Sequence, residues 1–110
     1  MAVDPDGTVI GTAAFYPNHG GPAAHVASAS FMVDPDHARR GAGRALGVHV
    51  LEQARADGYR AMVFNAVVET NTPAVALWRD LGFEVLATIP EGFEHPTHGF
   101  VGLHVMHRRL

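Results

Sequence analysis

The sequence predicts a mixed α/β or α+β domain in which two helices pack on a mostly antiparallel sheet. Three observations lead to this prediction. Strand-like runs dominate the first third of the chain, helical periodicity appears in two later segments, and an apolar run separates those two segments. That run, residues 61–68 (AMVFNAVV), is apolar on both alternations, as expected of a strand covered on both faces. Elements alternating in this way pack in layers around one hydrophobic core.

Eight elements are predicted, in the order β-β-β-α-β-α-β-β. The Asp6-Gly7 pair is a turn signal, so residues 1–3 are expected to pair with the strand that begins at Gly7. The predicted strands are residues 1–3, 7–16, 25–33, 61–68, 83–87 and 100–106, and Gly/Pro-rich loops are expected at 17–22 and 90–99.

The first helix is predicted over residues 43–57. Gly58 follows it and is placed to end it, because glycine adopts the left-handed conformation that closes many helices. The apolar residues that recur at helical spacing on one face are Ala45, Leu46, Val50, Leu51 and Ala54.

The second helix is predicted over residues 72–81. Thr72 is the expected N-cap, and Pro73 suits the first helical position, where its missing N–H costs nothing. Gly82 is expected to end the helix. The predicted buried stripe consists of Ala74, Leu77, Trp78 and Leu81.

Composition excludes several classes of function. With 110 residues, 47% of them hydrophobic, the chain can form one domain with its own core. A formal charge of -3 gives no general attraction to nucleic acid or anionic membranes. The absence of cysteine excludes disulfides, thiolate metal sites and a cysteine nucleophile. No apolar run approaches the roughly 20 residues of a membrane span, and no signal peptide is evident, so a cytoplasmic location is expected.

One local cluster of positive charge stands out. All eight basic residues are arginines, and three of them, Arg39, Arg40 and Arg44, lie within six positions. They flank Gly41 and Gly43 at the predicted start of the first helix, where unpaired backbone N–H groups and the helix dipole favour an anion. This pattern predicts a phosphate-binding loop. The alternative is a simple strand-to-helix turn with a solvated arginine cluster.

The spacing differs from two other phosphate-binding motifs. No third glycine follows Gly43 as in the dinucleotide fingerprint, and no Gly-Lys-Ser/Thr sequence forms a nucleotide P-loop. Instead, Val33-Asp-Pro followed by residues 39–46 (RRGAGRAL) resembles the acetyl-CoA loop of GNAT acetyltransferases, Q/R-x-x-G-x-G/A. A second family signature is similar at the expected distance: Asn71-x-x-Ala74-x-x-Leu77-Trp78-x-x-x-Gly82-Phe83. Residues 64–71 (FNAVVETN) more weakly resemble the branch containing the yeast N-acetyltransferase of proline analogues.

The resemblance implies a GNAT-like fold, a mixed sheet with a central parallel pair splayed apart where acetyl-CoA enters. It assigns pantetheine contacts to the main chain of Phe31, Met32 and Val33, and places Asn71 near the pantetheine arm. Its pyrophosphate contacts fall on Arg39, Arg40, Gly41, Ala42, Gly43 and Arg44. Acetyl-CoA would serve as co-substrate, and no metal is expected.

The chain departs from the family pattern in three ways. Ala38 stands where the acetyl-CoA loop prefers Gln or Arg. Trp78 stands where many members carry a tyrosine that protonates the departing CoA thiolate. The family normally begins with a strand and two helices, which would come before the first strand predicted in this sequence. We therefore expect a single GNAT-like domain over residues 1–110 that is truncated at its N-terminus, with an exposed sheet edge that favours a homodimer.

The catalytic candidates are Asn65 and Glu69. Asn65 interrupts an apolar strand, where an unpaired amide would cost about 1–3 kcal/mol. It either makes a structural hydrogen bond at the splay or orients the acceptor or the thioester oxygen. Glu69 is the carboxylate nearest the end of that strand. It acts either as the general base or only as a solvent-facing acid, and deprotonation of the amine through water is equally open.

Two histidine pairs invite a metal site, but neither fits one well. His104 and His107 lie three residues apart on a predicted strand, which places their side chains on opposite faces. His95 and His98 lie in a predicted loop without a convincing third ligand.

The sequence thus predicts an acetyl-CoA-dependent N-acetyltransferase acting on a primary or secondary amine of a small molecule, such as an amino acid or analogue. The alternative is a CoA-binding GNAT fragment without turnover, which needs a partner or the missing N-terminal segment. A third possibility, a protein-interaction domain whose loop binds only counter-ions, requires both signatures to be coincidences.

Overall fold

The computed structural model describes residues 2–3, 7, 9–33 and 41–110. Its strands and helices follow the predicted order, with one additional 3-10 turn. The elements are β1 (Ala2–Val3), β2 (Val9–Pro17), the 3-10 turn (Gly21–Ala23), β3 (Val26–Val33), α1 (Ala42–Ala56), β4 (Ala61–Val68), α2 (Thr72–Asp80), β5 (Glu84–His95) and β6 (Gly99–Arg109).

The strands form one six-stranded sheet in the order β1-β2-β3-β4-β6-β5. Neighbouring strands are antiparallel except for β3 and β4, which are parallel. This parallel pair is short, because its register joins only Val26 to Ala61 and Ala27 to Met62. Beyond Ala27 the two strands diverge, so the predicted mixed sheet with a splayed parallel pair is confirmed.

Both helices pack on the same face of the sheet and share one core. The buried cluster combines residues of α1 with residues of β3, β4 and β6, and Trp78 and Leu81 of α2 pack against it. Its buried members are Ala27, Val50, Leu51, Ala54, Met62, Phe64, Val67, Phe83 and Met106. The predicted apolar face of α1 is correct except at Ala45, which is exposed. Gly47, which was not predicted, belongs to the buried face.

Gly47 allows α1 and α2 to approach closely. A Cβ atom at this position would lie 2.8 Å from Leu81 Cδ1 and 3.1 Å from Trp78 Cζ3. One turn earlier, a Cβ at Gly43 would lie 3.5 Å from Leu77 Cδ2. Gly43 thus faces Leu77, and Gly47, four residues later, faces Leu81, four residues after Leu77. The two helices therefore lie side by side and run in the same direction.

The helices end as the sequence predicts. Gly58 and Gly82 both have positive φ, 92° and 94°, directly after the ends of α1 and α2. This left-handed conformation is the one in which a helix commonly terminates, and glycine adopts it without steric cost. Neither described helix is long and apolar enough to cross a membrane.

The prediction of a loop at 90–99 is wrong, because β5 extends to His95 and only a short turn precedes β6. Proline and glycine suggested a loop, but β5 lies at the edge of the sheet, where a missing N–H need not find a partner. The ladder shifts between Ile89 and Phe93, and Glu91 takes a φ of 53° there. A bulge thus absorbs Pro90 and Gly92, and the strand continues.

Replacing Gly47 by leucine tests the helix contact. The added side chain would overlap Leu81 and Trp78, so we expect a loss of about 1–3 kcal/mol in the free energy of unfolding. Denaturant unfolding measures this, with Val48→Leu as the matched control, since Val48 is the next residue of α1 and is exposed. Equal stability of the two variants would contradict the close approach of the helices.

Candidate functional site

A cavity occupies the gap between the diverging strands β3 and β4. Its volume is about 320 Å³. Its lining comes from β2, β3, β4 and α2, and consists of Tyr16, Ser28, Ala29, Phe31, Phe64, Asn65, Ala66, Val67 and Trp78. A larger cavity of about 630 Å³ lies beside Arg108 and Arg109, near the start of β4; its lining includes Gly82 of the second signature but no described residue of the first.

Aromatic rings form the helix-side wall of this cavity. Phe31 of β3 and Phe64 of β4 meet edge to face with ring centroids 5.8 Å apart. Trp78 of α2 packs against both, at 4.9 Å from Phe31 and 4.7 Å from Phe64. Phe83 stacks on the far side of Phe64 at 4.4 Å. The rings lie where a continuous ladder would otherwise bring the two strands together.

Polar side chains line the opposite face of the sheet. Tyr16 and Ser28 are register partners that alternate with the core-facing residues Phe15 and Ala27, so they point away from the helices. The Tyr16 hydroxyl lies 2.9 Å from the Ser30 Oγ. The cavity is therefore lined by aromatic rings on the helix side of the sheet, here called the aromatic mouth, and by polar side chains on the other side, here called the polar mouth.

Asn65 lies at the polar mouth, beside a bulge in β4. Between Phe64 and Val67 the register with β6 shifts, so three steps along β4 match two along β6. A bulge of this kind re-aims side chains. Asn65 is exposed and its amide Nδ2 donates to Asn18 Oδ1 at 2.7 Å. The amide is therefore hydrogen-bonded rather than left unpaired in an apolar strand.

The start of α1 lies at the carboxyl end of β3. Gly41 is the N-cap residue with a φ of 77°, and its carbonyl accepts the first helical hydrogen bond from the Ala45 N–H at 3.0 Å. No described side chain caps this end, and its first turn carries no acidic residue. The N–H groups of the first turn have no carbonyl partner within the helix, and with the helix dipole they favour an anion.

The arginines of the predicted phosphate loop are only partly described. Arg39 and Arg40 lie outside the described residues. Arg44 forms an ion pair with Asp80 of α2, with 3.0 Å between Nη2 and Oδ2 and both side chains more than half exposed. A pair this exposed contributes only about 0–1 kcal/mol, so a bound phosphate can compete for Arg44.

The start of α2 lies at the same edge of the sheet, because β3 and β4 are parallel and each leads into a helix. The predicted N-cap Thr72 is wrong: the cap is Asn71, whose Oδ1 accepts from the Ala74 N–H at 3.3 Å. Thr72 is instead the first helical residue. Asn71 therefore has a defined structural role at the position where its side chain was predicted to reach pantetheine.

Glu69 is held against β6. Its N–H donates to the Gly102 carbonyl at 3.0 Å, and its Oε1 accepts from the Gly102 N–H at 2.8 Å. A side chain at Gly102 would collide with the Glu69 carboxylate, since an added Cβ would lie 2.7 Å from Oε2. Glu69 does not belong to the residues that line the cavity between β3 and β4.

His95 and His104 make local hydrogen bonds. His95 Nδ1 accepts backbone hydrogen bonds from Thr97 and His98 at 3.0 and 3.1 Å, which closes the turn between β5 and β6. His104 Nδ1 lies 2.7 Å from Thr88 Oγ1 on the neighbouring strand. Within the described part of the chain, no group of three or more His, Asp or Glu side chains is arranged to hold a metal ion.

This arrangement matches known proteins. The sequence model of the Acetyltransferase (GNAT) family matches residues 1–83. The chain belongs to this family. Among solved structures, a GCN5-related N-acetyltransferase from Kribbella flavida is 63% identical with a TM-score of 0.96, over 98% of this chain and 64% of that one. The predicted GNAT resemblance and fold are confirmed.

Two further relatives of the GNAT chain are informative. A phosphinothricin acetyltransferase from Sinorhizobium meliloti, solved with acetyl-CoA, is 26% identical with a TM-score of 0.87, over 98% of this chain and 58% of that one. The N-acetyltransferase aca1 of Schizosaccharomyces pombe is 34% identical over 84% of this chain and 46% of its own length. The chain thus spans about half the length of this curated relative.

Sequence reasoning missed the polar mouth of this GNAT chain. Tyr16, Asn18 and Ser30 were not predicted as site residues, although Phe31, Asn65 and the start of α1 were. Their placement depends on the register of β2 on β3 and on the bulge in β4. Strand alternation in the sequence offered only one weak signal, that Tyr16 and the serines of β3 belong to the polar face.

Replacing Asn71 by alanine separates its two roles. Loss of the cap to Ala74 is expected to cost about 1 kcal/mol of stability, whereas Thr72→Ala should cost little, because Thr72 is not the cap. Denaturant unfolding measures both variants, and acetyl-CoA titration then measures affinity. An equal stability loss in Thr72→Ala would contradict the cap. Unchanged affinity in Asn71→Ala would remove Asn71 from the cofactor site.

Proposed function

We propose that this chain binds acetyl-CoA between β3 and β4 and transfers its acetyl group to a primary or secondary amine of a small molecule, such as an amino acid or analogue. The observation that carries the proposal is the opening between these two parallel strands, with the start of α1 at the same edge of the sheet. Ligands of open α/β sheets bind at the carboxyl ends of the strands.

The proposal places three parts of the cofactor: pyrophosphate, pantetheine and thioester. Pyrophosphate would bind the first-turn N–H groups of α1 at residues 41–44, joined by Arg39 and Arg40 of the preceding loop. Backbone groups of Phe31, Met32 and Val33 that face the gap beyond Ala27 would receive pantetheine, because the β3–β4 ladder ends there. The thioester would then enter the cavity between the aromatic and polar mouths.

The acceptor amine would approach from the polar mouth. The described side chains on that side are uncharged: Tyr16, Ser28, Ser30 and the Asn18–Asn65 amide pair. Such groups orient a small molecule through hydrogen bonds. The solved phosphinothricin acetyltransferase, by its name, modifies the small molecule phosphinothricin, which supports a small-molecule acceptor. The weaker resemblance to the branch acting on proline analogues points the same way.

Asn65 is proposed to orient the acceptor or the thioester oxygen. Its Nδ2 donates to Asn18, and its side chain lies in the cavity wall. Glu69 was the other catalytic candidate, either as general base or as a solvent-facing acid. Its contact with Gly102 supports a role in fixing the end of β4 on β6.

Asn65→Ala is expected to lower turnover by about 100- to 1,000-fold, since amide donors at a developing oxyanion have effects of this order. Stability should fall by less than about 1 kcal/mol, because the Asn65–Asn18 hydrogen bond is exposed. Asn18→Ala removes the same hydrogen bond and leaves Asn65 in place, which makes it the matched control. If both variants lose turnover equally, the Asn65–Asn18 hydrogen bond serves to position the segment that follows β2, and Asn65 has no separate catalytic role.

Thermal unfolding with and without acetyl-CoA tests the cofactor site directly. A ligand present at 100 times its dissociation constant stabilises the native state by about 2.7 kcal/mol, which raises the melting temperature of a domain this size by several degrees. Adenosine, which lacks pyrophosphate and pantetheine, is the control and should have little effect. A shift without turnover across a panel of amines would instead favour a CoA-binding module that needs a further segment or partner.

Gly41 provides a matched pair of variants for the same measurement. Its φ of 77° is tolerated by asparagine and aspartate, and nothing described lies within 4 Å of an added Cβ. Gly41→Asp and Gly41→Asn have nearly equal size and differ in charge. A negative charge beside pyrophosphate should weaken acetyl-CoA binding at least ~10-fold relative to asparagine. Equal affinities would contradict a pyrophosphate at the start of α1.

A further inference from the structure

We propose that Tyr16 is a catalytic residue of acetyl transfer, whose hydroxyl, held by Ser30, relays the proton from the acceptor amine to the departing CoA sulfur. This inference rests on the proposed function. Of the nine described residues that line the gap between β3 and β4, Tyr16 is the single one with a titratable side chain. Trp78 and Asn65 carry N–H donors that do not exchange a proton with an amine at ordinary pH.

Ser30 fixes the position of the Tyr16 hydroxyl. The two oxygens lie 2.9 Å apart, and either can donate. Ser30 belongs to β3 and immediately precedes Phe31, the first of the residues proposed to hold pantetheine. The contact therefore ties a hydroxyl of β2 to the strand along which the cofactor would lie. Ser30 acts here as a positioning residue.

Tyr16 is also accessible from the side where the amine would arrive. It is 44% exposed, and its side chain lies on the polar face, opposite the aromatic rings of Phe31, Phe64 and Trp78. A hydroxyl placed between the polar mouth and the cavity can meet both the amine and the thioester. None of the described lining residues is a carboxylate, and Glu69 is held against Gly102.

The relay balances without any further reactant. The amine nitrogen attacks the thioester carbonyl and forms a C–N bond. As the tetrahedral intermediate collapses, the C–S bond breaks and the sulfur takes the electron pair. The Tyr16 oxygen accepts one proton from the positively charged nitrogen while its own proton passes to the sulfur. The products are the amide and CoA with a free thiol, and Tyr16 ends as it began.

The test compares the chain's two tyrosines. Tyr16→Phe removes only the hydroxyl and should lower kcat by about 100-fold or more, the usual effect of losing a positioned acid–base group. The KM for acetyl-CoA and the thermal shift with acetyl-CoA should stay unchanged. Tyr59→Phe is the matched control: Tyr59 packs edge to face on Phe15, on the helix side, away from this cavity, and its kcat should stay within twofold.

Ser30→Ala should lower kcat less than Tyr16→Phe, and the double variant should be no slower than Tyr16→Phe alone, because Ser30 acts through Tyr16. A kcat of Tyr16→Phe within twofold of the unchanged chain would overturn the proposal. So would additive losses in the double variant, which would show that the two hydroxyls act independently.

A measurement without turnover separates this inference from the proposed function. With 3-fluorotyrosine incorporated, fluorine resonances of Tyr16 and Tyr59 are recorded during titration with acetyl-CoA. We expect the Tyr16 resonance to shift and the Tyr59 resonance to stay. If acetyl-CoA binds but the Tyr16 resonance does not move, Tyr16 lies away from the thioester and the inference fails while the cofactor site stands. If no acetyl-CoA binds, the proposed function and this inference fail together.

Discussion

The separation of β3 from β4 is the constraint on which the candidate site depends. Two parallel strands would ordinarily continue their ladder, yet these pair at two positions only. The rings of Phe31 and Phe64 face one another just beyond, and Trp78 of α2 packs against both. Closing the gap would require expelling these rings from the core they share with α1 and α2. The opening is therefore maintained by the same burial of apolar surface that stabilises the domain.

The direction of the strands determines where the helix ends lie. Because β3 and β4 are parallel and each leads into a helix, α1 and α2 both begin at the edge where the gap is widest. Gly47 then lets the two helices lie close together, and Gly41 gives α1 a start without a capping side chain. The helix end proposed to bind pyrophosphate is thus brought to the opening by topology, and its N–H groups would need few particular side chains.

The order of the helices and strands could be predicted from the sequence, whereas strand register, bulges and the choice of helix cap could not. Period-2 and helical patterns, with Gly58 and Gly82 as helix ends, are local properties and were enough to order the elements. The length of β5 was not predicted, because its proline and glycine suggested a loop. An edge strand with a bulge accommodates both residues without ending. Thr72 was chosen as the cap because it precedes Pro73, whereas the choice between two adjacent polar residues depends on backbone dihedrals. The polar mouth was missed since strand register and the β4 bulge are tertiary properties.

The two faces of the opening are built from different kinds of groups, and this bears on how such a site can diversify. On the helix side, the proposed cofactor contacts come from main-chain groups and a helix end, which tolerate most changes of side chain. On the other side, the contacts are side-chain hydroxyls and amides: Tyr16 with Ser30, and Asn18 with Asn65. These four residues lie on three separate segments of chain that come together at this gap. If the proposed roles hold, substitutions there would alter acceptor recognition and proton transfer, while the packing of Phe31, Phe64 and Trp78 that holds the strands apart would stay intact.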